Sequence, residues 1–361
     1  MNGRSDYATV LTTSLLLLVG LIVLYSASAP FSLRHYGSDA YMLLRQLMAA
    51  GLGIVALLVL ARTDYHRLAQ LGELLLVGSV GLSLLTILPL GISDGLWLSI
   101  GPFPVQPTEF VKLALIVYMA TTIDRKKDRI GTFTQGVLPF LILLGVLAAI
   151  VLCQPDLGML IMYGVLVAAM LFVGGAQVKH LVLIGAASVP AIFFAVWIAP
   201  YRFARLLSFL NPRAYSTSSG YQILQSLTAI GSGGLFGRGL GASRAKLFYL
   251  PQAHNDFILA VVGEETGLLG TVSILALLGL LVWRAFQIAE RAPDRLGRLM
   301  AYGVGFCVGF QTLINAGVAV GIFPVTGLTL PFVSNGGSSL LVTLAMVGVL
   351  LNISKQGAHG R

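Results

Sequence analysis

The chain has 361 residues, of which 57% are apolar and 10% charged, and its formal net charge is +9. Ordinary soluble domains carry about 25% charged residues, so this composition excludes a water-soluble fold. The apolar residues come in blocks of about 20, the length that crosses a hydrocarbon core. The sequence therefore predicts an all-α integral membrane protein, with residues 1–361 forming a single polytopic domain.

Ten apolar blocks follow one another along the chain, and each predicts a membrane-spanning helix. The first block is too long for the apolar region of a signal peptide, so we expect a retained anchor. A long extracellular loop, at about 200–255, separates the seventh block from the eighth. The ten blocks are 7–28, 41–61, 68–90, 110–123, 137–153, 158–177, 181–199, 256–283, 299–323 and 339–353.

The positive charges sort to one side of the predicted membrane. If ten helices cross it, both termini lie on the same side, and 14 of the 23 Lys and Arg residues fall on that side. Short loops rich in Lys and Arg face the cytoplasm, so we expect both termini to be cytoplasmic. The two cysteines, Cys153 and Cys307, lie inside apolar blocks and predict neither a disulfide nor a metal site.

A charged pair precedes and enters the fourth block. Glu109 and Lys112 are three residues apart, so they share one helix face, and Pro107 suits the first turn of that helix. A charge pair at membrane depth normally faces the protein interior and is a functional-site hypothesis by default. A structural ion pair that braces two helices explains the same pattern, and both interpretations stay open.

A tight outward turn, residues 154–158, joins the fifth and sixth blocks and contains Asp156 between proline and glycine. Its carboxylate could cap the following helix. It could equally help to bind a cation or a sugar, so Asp156 is a candidate binding residue.

The segment between the seventh and eighth blocks breaks the charge trend, because it holds six of the remaining nine Lys and Arg residues. A long loop can cross the membrane despite positive charge. A cluster of cations also binds phosphate strongly where water is scarce. The glycine-rich run at 231–241 could act as a hinge or present N–H groups to an anion. The candidate phosphate ligands are Arg202, Arg205, Arg238, Arg244 and Lys246.

Asp256 follows this basic segment at the start of the eighth block. A carboxylate in a partly desolvated cleft can act as a general base, whereas a helix N-cap is the structural alternative. His254 is a weaker candidate for the same proton transfer. Before the last block, Ser334, Asn335 and Ser338 could line a ligand cleft or permit close helix packing.

These elements, in this order, resemble the SEDS family (shape, elongation, division and sporulation). The likeness covers nearly the whole chain, although Leu96 stands where many members have arginine. It implies ten membrane helices in the bacterial cytoplasmic membrane and peptidoglycan glycosyltransferase activity on lipid II, with Asp256 as catalytic carboxylate and Glu109 and Lys112 at a central cavity. The motifs that carry it are QPTE at 106–109, QPDLG at 154–158, GSGGLFGRGLG at 231–241, AHNDF at 253–257, GEETG at 263–267 and SNGGSS at 334–339.

The resemblance also implies partners, namely a class B penicillin-binding protein as transpeptidase and other membrane proteins of the elongation complex. The compact termini favour a role in elongation and cell shape, and we expect no nucleic-acid partner. A divalent cation, Mg or Mn, could assist an inverting displacement, although the sequence shows no ligand cluster for one. Two rival functions are a flippase for the lipid-linked precursor and a non-catalytic scaffold. The glycine, acid and aromatic content of the outward loops favours chemistry at one face.

Overall fold

The computed structural model describes residues 6–88, 93, 95–100, 103–154, 156–197, 199–216 and 219–359. The fold is mostly α-helical, with one antiparallel pair of short strands. The helices are α1 (Tyr7–Tyr36), α2 (Tyr41–Arg62), α3 (Tyr65–Gln70), α4 (Gly72–Leu85), α5 (Pro107–Lys126), α6 (Leu138–Cys153), α7 (Leu157–Val173), α8 (Val178–Trp197), α9 (Pro200–Leu210), α10 (Ser219–Gly233), α11 (Ile258–Glu290), α12 (Arg295–Ala319) and α13 (Gly337–His359), and the strands are β1 (Leu98–Ile100) and β2 (Phe103–Val105).

Each predicted apolar block overlaps a described helix. Six helices are long and apolar enough to span a membrane, and α4, α7 and the first part of α8 are shorter apolar helices. The predicted block 110–123 corresponds to α5, which is less apolar because it carries Glu109, Lys112 and a basic last turn. Residues 89–90 of the third block and residue 198 of the seventh lie outside the described residues. The count of ten crossings stays a prediction.

The strand pair is a small correction to the all-α prediction. Leu98 pairs with Val105 and Ile100 with Phe103, and Pro104 is tolerated because a two-stranded ribbon has a free edge for a residue without an N–H. Since only Gln106 separates the end of β2 from the start of α5, the hairpin sets where the polar start of α5 lies.

The predicted long loop at 200–255 contains regular structure. It includes α9, α10 and a π-helical turn at Ala245–Tyr249. Helix α9 is amphipathic, with Phe203 and Leu210 exposed and Ser208 buried. An exposed apolar face beside arginines is typical of a helix that lies in a membrane interface.

Helix α13 packs along α2 at close range, and small residues make this possible. A methyl group added at Gly53 would come within 2.6 Å of Leu344 Cδ1, and one added at Gly348 within 2.6 Å of the Leu57 carbonyl oxygen. Small residues are what allow helices to approach closely inside a membrane. The most apolar 18-residue window of Gly337–Gly357 is 83% buried, so α13 lies at the centre of the bundle.

Helix α11 is broken at Gly267, whose φ of 67° and ψ of −165° are not helical. A break leaves backbone N–H and C=O groups without helical partners, which is costly in a membrane. The glycine-rich run after α10 pairs with these groups. Four hydrogen bonds join the two segments: Arg238 N to Glu264 O and Gly239 N to Glu265 O, both at 3.0 Å, Leu268 N to Gly234 O at 2.9 Å, and Leu269 N to Leu235 O at 3.2 Å.

This pairing gives the glycine-rich run a structural role that differs from both predicted interpretations, the hinge and the anion nest. The N–H groups of Arg238 and Gly239 are donated to helix carbonyls, so they do not form a nest for an anion. Glycine is needed because the two backbones touch: a Cβ at Gly237 would come within 2.2 Å of the Glu265 carbonyl oxygen.

We expect Gly237→Ala to destabilise the protein by about 1–3 kcal/mol, because it adds this clash to a φ of 78° that L-residues avoid. The measurement is thermal unfolding of the detergent-purified protein. Gly231→Ala is the matched control, since Gly231 lies in α10 with no atom within 4 Å of an added Cβ. Equal transition temperatures for both variants would show that the close approach is not required.

Candidate functional site

Asp256 lies in the turn before α11, and its side chain is partly buried. Burial raises the pKa of this carboxyl to about 6; the nearby Arg205 acts against the shift, and the negative charge of Asp156 adds to it. An aspartate normally has a pKa near 4. The turn therefore presents a carboxylate that can take up a proton close to neutral pH.

Asp156 performs the capping role, and its negative charge acts on Asp256. Its Oδ1 accepts a hydrogen bond from Met159 N at 3.0 Å, and its Oδ2 accepts one from Gln106 Nε2 at 3.4 Å. Burial raises the pKa of Asp156 to about 6, and the charge of Glu109 adds to the shift. The two predicted interpretations of this residue are thus compatible, since the cap lies within the acidic site.

The Glu109–Lys112 pair lies at the start of α5, and the charges of both residues act on Asp156. Lys112 Nζ is 2.6 Å from Glu109 Oε2, and the two side chains are 0% and 3% exposed. Lys112 Nζ also donates to Gln311 Oε1 at 2.8 Å, and Gln311 Nε2 donates to the Thr329 carbonyl at 2.8 Å. The pair therefore links α5 to α12 and to the segment before α13.

Two of the five predicted phosphate ligands approach the acidic site. Arg202 and Arg205 line a cavity of about 360 Å³, whose other walls come from α7, α8, Leu206 and residues 324–326 and are apolar apart from Thr326. Arg202 Nη2 donates to the Leu152 carbonyl at 3.0 Å, and the charge of Arg205 acts on both aspartates. This places cationic side chains beside an apolar cavity.

The other three cations surround the break in α11. Lys246 Nζ is 2.6 Å from Glu265 Oε1 and buried, and Arg238 Nη1 is 3.2 Å from Glu264 Oε1. Arg244 is exposed, and its backbone N–H donates to Glu264. The structure therefore does not bring the five cations into one cluster, because two of them neutralise the glutamates of the GEETG motif.

The predicted polar residues near α13 hold backbone groups. Ser334 Oγ donates to the Asn255 carbonyl at 2.7 Å, and Asn335 N donates to the His254 carbonyl at 3.0 Å. Ser338 Oγ accepts from Gln106 N at 2.9 Å. These contacts connect the turn that carries Asp256 to the N-terminal side of α13.

His254 packs against the end of α1. Its ring centroid is 4.7 Å from that of Phe31, which in turn stacks on His35 at 4.0 Å. Burial, together with the charge of His35, lowers the pKa of His254 to about 4. At neutral pH its imidazole is uncharged, which makes it a packing and positioning group for the turn.

Sequence reasoning missed Arg45 and the amides of α12. Arg45 lines a second cavity, of about 330 Å³, together with Gln46, Trp97, Asn335 and Ser338. A polar or charged residue inside a predicted span is a functional hypothesis by default, and Arg45 lies within the block 41–61. The same rule identifies Gln311 within the block 299–323.

Among the residues that the structure describes, no group of three or more His, Cys, Asp or Glu side chains could hold a metal ion. Asp156 and Asp256 offer two carboxylates on one side of the site. Mg²⁺ is commonly bound by one or two carboxylates together with substrate phosphates, so this donor pair fits such an ion.

The chain forms an apolar helix bundle that holds acidic residues and arginines in one region. These features are typical of a polytopic membrane protein with a polar functional site. The family model for FtsW, RodA and SpoVE, described as a cell cycle protein, matches residues 7–359. The chain therefore belongs to the SEDS family and is a multi-pass protein of the cytoplasmic membrane.

Similar proteins extend over almost the whole chain. Stage V sporulation protein E of Bacillus subtilis is 42% identical and covers 98% of both chains. The probable peptidoglycan glycosyltransferase FtsW of Geobacter metallireducens is 40% identical, over 97% of this chain and 95% of its own.

Two solved structures share the fold. One is a chain from a study of how a peptidoglycan synthase complex coordinates polymerization and crosslinking, with a TM-score of 0.82 and 30% identity over 98% of both chains. The other is the rod shape determining protein RodA of Thermus thermophilus, with a TM-score of 0.71 and 29% identity over 97% of both chains.

We expect Lys112→Met to lower the free energy of unfolding by about 3–5 kcal/mol, since it leaves Glu109 buried without its partner. Arg125→Met is the matched control on the same helix, because its pair with Glu73 is 62% and 70% exposed and should contribute less than about 1 kcal/mol. Thermal unfolding in detergent compares the two. Similar losses would mean that burial does not set the cost.

Proposed function

We propose that the chain is a peptidoglycan glycosyltransferase that polymerises lipid II at the outer face of the bacterial cytoplasmic membrane. The observation that carries this proposal is that Arg205, which lines a cavity together with Leu157, acts by its charge on both Asp156 and Asp256. Glycosyl transfer from a diphosphate is served by a base for the acceptor hydroxyl and by a cation for the leaving group. The FtsW relative, named as a probable peptidoglycan glycosyltransferase, supports the same activity.

The donor fits the cavity that Arg202 and Arg205 line. Its walls are otherwise apolar, apart from Thr326, which suits a polyprenol tail, and its arginines suit the diphosphate that joins tail to sugar. A lipid-linked sugar would then place its anomeric carbon near the two aspartates. Arg238 and Lys246 are not assigned to the diphosphate, because glutamates already neutralise them.

The reaction is a single displacement. Asp256 removes the proton from the acceptor hydroxyl, and the hydroxyl oxygen forms a bond to the anomeric carbon of the donor. The bond from that carbon to the diphosphate oxygen breaks, and its electron pair leaves on the diphosphate, where Arg205 and Arg202 stabilise the charge. One displacement inverts the configuration at the anomeric carbon.

Asp156 and Asp256 are the residues that would hold a divalent cation, Mg or Mn, since carboxylates together with substrate phosphates commonly bind such ions. When bound, it would supply further stabilisation of negative charge on the leaving group. The residues of the chain retain their roles in binding and proton transfer.

The partners and orientation follow from the same proposal. The complex in which one structural relative was solved performs crosslinking as well as polymerization, which supports a class B penicillin-binding protein as partner. The basic loops support cytoplasmic termini and therefore an outward-facing Asp256. The role in elongation stays a prediction, since relatives named for sporulation, division and rod shape all match.

We expect Asp256→Asn to reduce polymer formation from labelled lipid II by about 10²–10⁴-fold, the usual contribution of a general base. Asp39→Asn is the control, because Asp39 is an exposed acid whose partner is the Tyr25 hydroxyl at 2.9 Å. Gel analysis of glycan chains made by the purified protein, with and without a transpeptidase partner, provides the measurement.

Other outcomes separate the rival functions. Inversion of lipid II across vesicles without polymer would indicate a flippase. The absence of both activities, with and without the partner, would indicate a scaffold. Full polymerisation by Asp256→Asn would exclude this residue as the base.

The pH dependence of kcat/KM should report the acidity of Asp256. Its carboxylate is the active form, so the rate should fall as the pH drops through about 6. Asp156→Asn removes a charge that raises the pKa of Asp256, so the acidic limb should move to lower pH. Arg205→Gln removes a charge that lowers this pKa, so the limb should move to higher pH.

These shifts would be resolved by measuring kcat/KM at about ten pH values, between about 4.5 and 8, in matched detergent buffers. Arg213→Gln, an exposed arginine of the same segment, is the control and should leave the limb in place. Shifts of the same sign for Asp156→Asn and Arg205→Gln would contradict the assignment of the limb to Asp256.

A further inference from the structure

Three consecutive carbonyl groups in the turn that carries Asp256 each accept a hydrogen bond from outside the turn. The His254 carbonyl accepts from Asn335 N at 3.0 Å, the Asn255 carbonyl from Ser334 Oγ at 2.7 Å, and the Asp256 carbonyl from Asn315 Nδ2 at 3.1 Å. Three adjacent anchors fix the backbone of the turn.

The side chain of Asp256, unlike the backbone of the turn, has no hydrogen-bond partner among the described residues. Within the described part of the chain, no hydrogen bond shorter than 3.5 Å holds its carboxylate, although its own backbone oxygen is held. A carboxylate that is unpaired on a fixed backbone can point at a substrate hydroxyl without first breaking a protein contact. This is the preorganisation that proton transfer requires.

Asn315 connects three parts of the molecule. It lies in α12 and is 1% exposed, and its Nδ2 donates to the Leu328 carbonyl at 2.9 Å as well as to the Asp256 carbonyl. Among the described residues, its Oδ1 has no hydrogen-bond partner, and an unsatisfied buried acceptor is costly. An apolar side chain would avoid this cost, so packing alone does not explain an amide at this position.

Ser334 is itself held in place. It is 4% exposed, and its Oγ accepts from Leu330 N at 2.9 Å while donating to the turn. The preceding Phe332 has a φ of 67°, and its carbonyl oxygen would lie 2.2 Å from a Cβ added at Gly20. Helix α1 thus packs directly against the loop that carries Ser334, and this contact restrains the loop next to the turn.

We propose that Asn315 and Ser334 are positioning residues for Asp256, which fix the backbone of the turn so that the carboxylate meets the acceptor hydroxyl. This inference rests on the proposed role of Asp256 as the base. It gives Ser334, predicted from the sequence to line a ligand cleft, a function exerted through the backbone, and it adds a residue of α12 that the motifs do not include.

The proposal predicts a selective kinetic defect. Asn315→Ala and Ser334→Ala should each lower kcat by about 10–100-fold, the effect of a misplacement of about 1 Å, and change KM for lipid II less than about twofold. Ser334→Thr keeps the hydroxyl and should restore the rate. Thr312→Ala is the control in α12, because the Thr312 hydroxyl bonds only to the Val308 carbonyl of its own helix.

A double-mutant cycle decides whether the two residues act through Asp256. In an Asp256→Asn background, Asn315→Ala and Ser334→Ala should cause no further loss of the residual rate, because groups that act as a unit are not additive. The full-length purified protein, radiolabelled lipid II and single-turnover conditions provide the sensitivity. Thermal unfolding identifies any variant that fails to fold, and the other variant then carries the test.

The outcomes are distinguishable. Losses in Asp256→Asn as large as in the unmodified protein, or a KM effect without a kcat effect, would overturn the positioning role. Wild-type activity of Asp256→Asn would overturn the proposed base instead. Inactivity of Asp256→Asn with full kcat in both positioning variants would refute the positioning proposal alone.

Discussion

The scarcity of water inside the bundle is the constraint on which the structure depends. A charge or a free backbone group at this depth must find its partner within the protein. Glu109, Glu264 and Glu265 obey this rule, and each is paired with a lysine or an arginine. Asp156 and Asp256 are the exceptions, since burial outweighs their favourable contacts and raises the pKa of each to about 6. The cost of burying these two carboxylates is therefore only partly offset within the protein, and this distinguishes the candidate functional site from the structural ion pairs.

The molecule separates cations that neutralise buried glutamates from cations that line a cavity. Lys246 and Arg238 complete a structural core around the broken helix α11. Arg202 and Arg205 instead line an apolar cavity near the aspartates. A glutamate pair and an arginine pair, only tens of residues apart in sequence, therefore belong to different parts of the protein. Charge content alone does not distinguish them.

Much of the fold could be predicted from the sequence, because block length and composition are local properties. The helices and the importance of Asp256 as a candidate follow from such cues. The electrostatic effect of Asp156 on Asp256 does not, because the two residues lie in different turns that are far apart in the sequence. The pairing of the glycine-rich run with the break at Gly267 could not be predicted either, because the same glycine spacing is compatible with a hinge, an anion nest or a close backbone contact. Asn315 was missed because a single amide carries no motif.

The hydrogen-bonded contact between the glycine-rich run and α11 has a consequence for protein engineering. Two stretches that are distant in sequence, 233–246 and 263–269, share backbone hydrogen bonds and two ion pairs. A chimera between family members that exchanges only one of them would join mismatched halves of a single unit. Grafts should transfer both stretches together, and directed evolution of either should sample substitutions in the other at the same time.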